Sequence, residues 1–433
     1  MKIFRRLAKM TSWIVPAKQC RFSYKDFCSY LDLKNDVANA QNNYKNIIPK
    51  LKEKIKTEKI RVIFLIRENQ KWTYQSLYEY LEKSDKFEPL VLISVLDVVR
   101  SGKDKTRNRI EEDYNFFKSK GINVDYAYKD GKYVDLKQFS PDIVFYDQPW
   151  ELPKKHMPKY VSEFALTCYC SYSYELIDNR EHYFTTFHRY LYKIFVDNEL
   201  NLKRYEKYMK GNSKNCTVTG YPKLDEYLKP QKECDIWKSQ DKFRIIYAPH
   251  HSFEKNGIHF ATFMQNYRFI LELAQKHPET QWVFKPHPRL KYALLRNNLM
   301  SEQEINDYYS EWEKIGVIYD TGDYFGIFKT SDLMITDSIS FLAEYLPSKK
   351  PLIRLMNPKS AKMNKLGEII NQGYYLTHNN SELEKVFNEL VINKNDTKKE
   401  ERIKLIDTVL NMNKSAAENI YNKLLSTLEG IDG

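Results

Sequence analysis

Three short stretches in the second half of the chain concentrate side chains suited to holding an anion. Residues 247–253 read YAPHHSF, where Pro249 ends a strand-like run and leaves His250, His251 and Ser252 in the loop behind it. Residues 285–289 read KPHPR, where two prolines stiffen the backbone around His287 and leave Lys285 and Arg289 as flanking cations. An imidazole held in that way can neutralise charge on a leaving phosphate. Residues 336–340 read TDSIS, at the passage from an apolar run into an apolar-periodic helix. Asp337 or Ser338 is expected as the N-cap, and the first-turn amides with the hydroxyls around Thr336, Ser338 and Ser340 would cradle a phosphate. Asp337, being negative, is expected to face away from that anion. Glu344, further along the same helix, can accept hydrogen bonds from ribose hydroxyls. Each stretch also has an ordinary structural reading: a solvated loop, a rigid surface turn, a helix cap or a solvated glutamate.

Each of the three follows a run with strand character, so a parallel sheet would gather them on one edge. The spacing predicts strands over 243–248, 282–285, 317–320, 333–337 and 351–355, with helices over 260–276, 324–329 and 339–346. The first half carries a similar alternation. A near-continuous apolar run, IRVIFLI over 60–66, predicts a buried parallel strand. Strands at 90–95, 124–127, 142–147 and 165–169 and helices around 74–81 and 107–120 continue the pattern, and CTVTGYPKLD over 216–225 closes it. A polar stretch over 229–242 places the domain boundary near Gln240. The expected division is a basic helical extension over 1–57, an acceptor domain over 58–239, a donor-nucleotide domain over 240–397 and a helical tail over 398–433. That tail is amphipathic and could cover the second domain or cross back to the first.

A chain of 433 residues exceeds one core's usual size, and 42% hydrophobic with 29% charged residues describes a folded protein. The net charge of +12 calls for an anionic partner: a phosphorylated donor, a phosphate polymer, an acidic membrane surface or nucleic acid. The 33 Tyr, 23 Phe and 6 Trp spread over helical and strand segments instead of clustering with Lys and Arg, which argues against nucleic acid. Six cysteines without CxxC spacing give neither a zinc site nor a disulfide framework, and no metal or cofactor is expected. No run is apolar enough to span a bilayer, so a cytoplasmic setting is expected. Residues 1–18 mix Arg5, Arg6, Lys9 and Lys18 with apolar side chains. Such a helix could lie on the inner face of the membrane or on the protein's own surface.

YAPHHSF, KPHPR and SDLMITDSISFLAEYLPSKKPLI, in this order and at these spacings, resemble the donor-binding half of the CDP-glycerol glycerophosphotransferase family. The resemblance covers about 243–355, and CTVTGYPKLD resembles the segment before that family's interdomain linker. It implies an α/β fold of two facing Rossmann-like domains, of the glycosyltransferase-B (GT-B) type, with helical extensions at both ends. It further implies a CDP-alcohol lying against the second domain, with His287, Ser338 and Ser340 on its pyrophosphate and no divalent metal. A glycan or lipid-linked acceptor hydroxyl would attack the distal phosphorus and release CMP.

The first half departs from the family pattern. Where those proteins carry a His, Gly, Thr segment, this chain reads YDQPWELPKKH over 146–156, leaving Asp147, Glu151 and His156 as candidate bases. Asp147 is favoured because it stands directly at a strand end. The function expected is transfer of glycerol phosphate or ribitol phosphate from a CDP-alcohol. A nucleotide-sugar glycosyltransferase of capsule or lipopolysaccharide synthesis is the alternative on the same fold, separable by CMP against UMP competition. An inactive membrane scaffold would bind membrane without releasing CMP.

Overall fold

The computed structural model describes residues 18–96, 110–178, 183, 185–209, 213–230, 234–239, 241–253, 258–320, 323–410, 412 and 414–430. Most of the amphipathic stretch over 1–18 lies outside them. The chain forms two compact units, one built from Met1–Tyr172, Arg180–Thr219 and Ala417–Gly433, the other from Ser173–Asn179 and Gly220–Ala416.

The first unit is a seven-stranded sheet in the order β3-β2-β1-β6-β7-β8-β9, parallel throughout. Its strands are β1 (Ile60–Ile66), β2 (Phe87–Ile93), β3 (Val124–Tyr126), β6 (Ile143–Tyr146), β7 (Leu166–Cys170), β8 (Lys193–Val196) and β9 (Cys216–Val218). Between β3 and β6 a small hairpin, β4 (Tyr128–Lys129) and β5 (Lys132–Tyr133), turns on Asp130 and Gly131 at φ 51° and 71°. Two positive φ values suit the Asp-Gly pair. The central strand β1 is apolar along almost its whole length because both faces are covered. Ile60, Val62, Phe64 and Ile66 enter one core, Ile63 and Leu65 the other. The long helix Lys18–Lys54 adds Ala40, Tyr44, Ile47 and Leu51 to the first of these cores. The closing helix Ala416–Glu429 adds Ala417, Ile420, Leu424 and Leu428 to it, so the end of the tail crosses back to this unit, while its helix Lys399–Val409 stays with the second.

The second unit is a six-stranded parallel sheet in the order β12-β11-β10-β13-β14-β15. Its strands are β10 (Phe243–Ala248), β11 (Thr280–Phe284), β12 (Gly316–Ile318), β13 (Leu333–Thr336), β14 (Leu352–Leu355) and β15 (Tyr375–Thr377). Counted from β10, the order is the 3-2-1-4-5-6 of dinucleotide-binding sheets, with the direction of winding reversing between β10 and β13. The spacing pattern missed β15, three residues with an exposed Leu376 in the middle. Such a strand leaves no apolar run to read. No helix among the described residues is long and apolar enough to cross a membrane.

The edge strand β12 begins at Gly316, where a Cβ would meet the Trp282 carbonyl oxygen of β11 at 2.6 Å. Gly316→Ala is therefore expected to destabilise the second unit by about 1–3 kcal/mol, read as a lowered urea midpoint. An unchanged midpoint would mean that the edge strand moves aside freely.

Candidate active site

The backbone itself stitches the first two motifs of the second unit together. Past the end of β11, Lys285 N donates to Tyr247 O (2.8 Å) and His287 N donates to Pro249 O (3.0 Å). In KPHPR only Lys285, His287 and Arg289 have an N–H to give, since proline has none. The result places His287 beside the histidine pair. Ring centroids of His250 and His251 are 4.6 Å apart, His251 and His287 4.0 Å, His250 and His287 5.4 Å.

Hydrogen bonds fix the tautomers of two of these rings. His250 Nδ1 accepts from Ser252 N (3.2 Å) and lies 2.9 Å from Ser252 Oγ, which itself accepts from Phe260 N and Ala261 N. His287 Nδ1 accepts from Arg289 N (3.1 Å). A nitrogen that accepts a backbone N–H has no proton of its own, so both rings carry theirs on Nε2. Burial, followed by His251, pushes the His250 pKa down to about 3. Burial and then the neighbouring imidazoles hold His287 well below the usual histidine range. The nitrogens of the three rings approach within 4.8 Å of one another, a spacing that could gather a metal ion. The tautomers of His250 and His287 oppose that use. A metal-bound imidazole donates from its other nitrogen, whereas these accept there. Two neutral N–H donors suit an anion.

The third motif is arranged differently from the sequence expectation. Asp337 is no helix cap, nor is Ser338. The helix Ser340–Tyr345 starts from Ile339 without a side-chain cap. Asp337 instead accepts from His250 N (2.6 Å) through Oδ1, and from Thr262 N (2.5 Å) and Thr262 Oγ1 (2.8 Å) through Oδ2. Burial raises its pKa to about 6 against these three stabilising bonds. Thr336 Oγ1 donates to Ala248 O (2.6 Å) and accepts from Ser338 N (2.9 Å), tying the ends of β13 and β10 together. Ser338 is buried and Ser340 half-buried at the start of the helix.

Beside the histidines lies a buried charged cluster. Glu344, expected to be open to a ribose, is 1% exposed and accepts from Tyr324 Oη, with Lys223 Nζ at 3.5 Å. Lys285 is 5% exposed, its ammonium 5.0 Å from the Tyr324 ring centre and 5.5 Å from that of Tyr319. Burial lowers its pKa to about 8. Arg289 stands half-buried at the head of the helix Leu290–Arg296. Lys223, Tyr324 and Thr262 were not singled out from the sequence. Lys223 lies within GYPKLD, whereas nothing in the spacing of Tyr324 or Thr262 marks them.

The first unit treats its three candidate bases unequally. Asp147, the favoured one, is fully buried against Arg67, accepting from its backbone N (2.8 Å), Nε (3.0 Å) and Nη2 (2.5 Å). Arg67 also donates to Gln148 O (2.5 Å) and to Trp150 O. An ion pair so enclosed serves the loop's shape and offers no open lone pair. His156 is a core histidine: it is buried, its Nε2 is 2.8 Å from Val134 O, and burial lowers its pKa to about 4. Glu151 alone of the three is exposed, at φ 52°.

Two Rossmann-like α/β units, the second with its histidines at the switch point of the sheet, are the architecture of the GT-B fold class. Over residues 175–425 the chain matches the family described as CDP-Glycerol:Poly(glycerophosphate) glycerophosphotransferase. It belongs to that family. It is 26% identical over 177 residues to the teichoic acid ribitol-phosphate polymerase TarK of Staphylococcus aureus, an alignment covering 38% of this chain and 32% of that protein. The chain thus spans about a third of that relative. Among solved structures it resembles the wall teichoic acid polymerase TagF (TM-score 0.58, 13% identity, 92% of this chain and 98% of that one). It also resembles the UDP-GlcNAc 2-epimerase of Neisseria meningitidis (TM-score 0.57, 16% identity, 85% and 100%). At these identities the structural likeness concerns the fold.

Two outcomes follow for stability. Asp147→Ala strands Arg67 without its partner and is expected to cost about 3–5 kcal/mol in urea denaturation. A purely catalytic Asp147 would leave the midpoint in place. The pH dependence follows from the buried rings. His250 and His156, with folded pKa values near 3 and 4, bind protons more tightly when unfolded. Their contribution is complete above about pH 6.5 and is lost as pH falls through the window below, at about 1.4 kcal/mol per pH unit for each ring. Asp337, raised to about 6, has the opposite sign and offsets one ring between about pH 4 and 6. Net stability should therefore fall from pH 7 to 5, and His250→Gln should flatten the curve. A flat wild-type profile would mean that these rings are solvated.

Proposed function

We propose that the protein transfers a glycerol phosphate or ribitol phosphate unit from a CDP-alcohol donor to a wall-glycan or lipid-linked acceptor, releasing CMP. The observation that carries this reading is the pair of fixed Nε2–H donors on His250 and His287, set where a doubly wound sheet takes the phosphates of a nucleotide. The family's name and the ribitol-phosphate polymerase among its relatives support the same class of chemistry.

In the proposed reaction the acceptor hydroxyl oxygen attacks the distal phosphorus of the donor. The bond from that phosphorus to the bridging oxygen breaks, and its electron pair leaves with CMP. His250, His287 and the Lys285 ammonium meet the charge that gathers on the departing phosphate, and Ser338 and Ser340 add hydroxyl donors. The hydroxyl proton goes to a carboxylate, for which Glu151 is the candidate with an exposed side chain. A net charge of +12 suits an anionic phosphate polymer, and the basic residues 1–18 suit the inner face of a membrane.

Isothermal titration with CMP, UMP and CDP-glycerol tests the reading. Cytidine nucleotides should bind in preference to UMP, and His287→Ala should weaken CMP by roughly 10- to 100-fold, the worth of a hydrogen bond to a charged group. Equal binding of UMP, or CMP affinity untouched by His287→Ala, would move the assignment to a nucleotide-sugar transferase.

A further inference from the structure

A second cavity opens in the second unit, one strand beyond the histidines. It is a solvent-open cleft of about 300 Å³, bounded by the carboxyl ends of β14 and β15 and the start of the helix Phe263–Lys276. Leu355, Met356 and Leu383 give it an apolar side, and no Lys, Arg, Asp or Glu lines it. Its polar wall divides by hydrogen bonding. Asn266 is committed, accepting from Tyr247 Oη (3.2 Å) and donating to Thr262 Oγ1 (3.0 Å). Gln265, exposed at the mouth, and Asn380, half-buried, carry amides with no hydrogen-bond partner among the described residues. At the rim, the helix Asn380–Phe387 has its first-turn amide already taken by Asn379, and Glu382 accepts from His378 N and Asn379 Nδ2. A capped helix end beside a carboxylate does not attract an anion.

We infer that this cavity is a subsite for a neutral polyhydroxylated chain, the alditol portion of a phosphorylated substrate. Each free amide presents one donor and one acceptor side by side, the pattern that two neighbouring hydroxyls complete. A polar wall without Lys, Arg, Asp or Glu, its His378 held 3.1 Å from Glu382 through Nδ1, over an apolar base suits a chain with hydroxyls on one side and C–H on the other. Thr262 joins the two sites. Its side chain lines the cavity while its N–H and hydroxyl are held by Asp337, whose other oxygen holds His250. A phosphate at the histidines and an alditol in the cavity would be neighbours on one molecule. The inference rests on the donor reading of the preceding section.

The test is Gln265→Leu with Asn380→Leu, two changes away from the histidines, compared with wild type. Saturation-transfer NMR with free ribitol and free glycerol reads the cavity without any nucleotide, and titration with CMP and CDP-ribitol reads the whole site. Expected are a ribitol or glycerol signal in wild type that the double variant loses, and unchanged CMP affinity. The advantage of CDP-ribitol over CMP should also fall at least fivefold. A wild type that gives no polyol signal, or a variant that keeps it, overturns the inference. Absence of CMP binding in wild type would instead overturn the donor reading, and the polyol signal would then judge the cavity by itself.

Discussion

A doubly wound sheet has to satisfy the backbone where its first and fourth strands part company, and here one buried aspartate does so in each unit. Past β13, Asp337 takes the N–H groups of His250 and Thr262; past β6, Asp147 takes the N–H of Arg67. Loops that diverge from a switch point cannot pair with each other, yet buried N–H groups left unpaired cost about 1–3 kcal/mol each. A carboxylate, with two oxygens and several lone pairs, reaches both sides of the gap. The units differ in how its charge is balanced. Arg67 neutralises Asp147 directly, whereas Asp337 has three hydrogen bonds and the start of the helix Phe263–Lys276, and its pKa rises accordingly. The first switch point is closed by its own ion pair. The second keeps its imidazole edges available.

The histidines depend on that arrangement. Because Asp337 is occupied by backbone N–H groups, it is not the partner of an imidazole, and no carboxylate props His250 into its charged form. Ser252 and the backbone of Arg289 instead pin the Nδ1 atoms as acceptors. Neutral N–H donors that are already oriented need no reorganisation when negative charge arrives. They also avoid the desolvation that a buried imidazolium would carry. The same burial that prepares the site makes the fold sensitive to acid.

The alternation of apolar runs made both sheets legible, because strands such as β1 and β10, covered on two faces, must be apolar along their length. The three motifs were legible for a related reason: proline and histidine spacing constrains a loop locally. A short edge strand such as β15 carries no such run, and β8 offers only three apolar residues behind a half-exposed Lys193. The roles of the aspartates could not be read. Asp337 and Asp147 stand alike at strand ends, and what each carboxylate meets is set by Thr262 and Arg67, which lie 75 and 80 residues away along the chain. The burial of Glu344 could not be read for the same reason, since Lys223 and Tyr324 approach it from other elements.

Charge along the carboxyl edge of the second sheet is graded, and the gradient bears on where phosphates would lie along it. On the β11 side stand Lys285 and Arg289, with Lys223 against Glu344 nearby. At the β10–β13 switch stand neutral imidazoles and hydroxyls, with the carboxylate of Asp337 taken up by the N–H groups of His250 and Thr262 and by the Thr262 hydroxyl. At β14 and β15 the wall is amide, hydroxyl and apolar, with His378 against Glu382 at its rim. In a CDP-alditol the phosphates stand between a nucleoside and an uncharged alditol, so phosphates held at the histidines would leave one of those two ends for the amide wall. Sliding the phosphates along the edge toward the amide wall would take them from Lys285 and set them beside Glu382, an unfavourable exchange. The register of the phosphates would then come from where cations are absent as much as from where they are placed, since a wall without them excludes the phosphates without holding an alditol tightly.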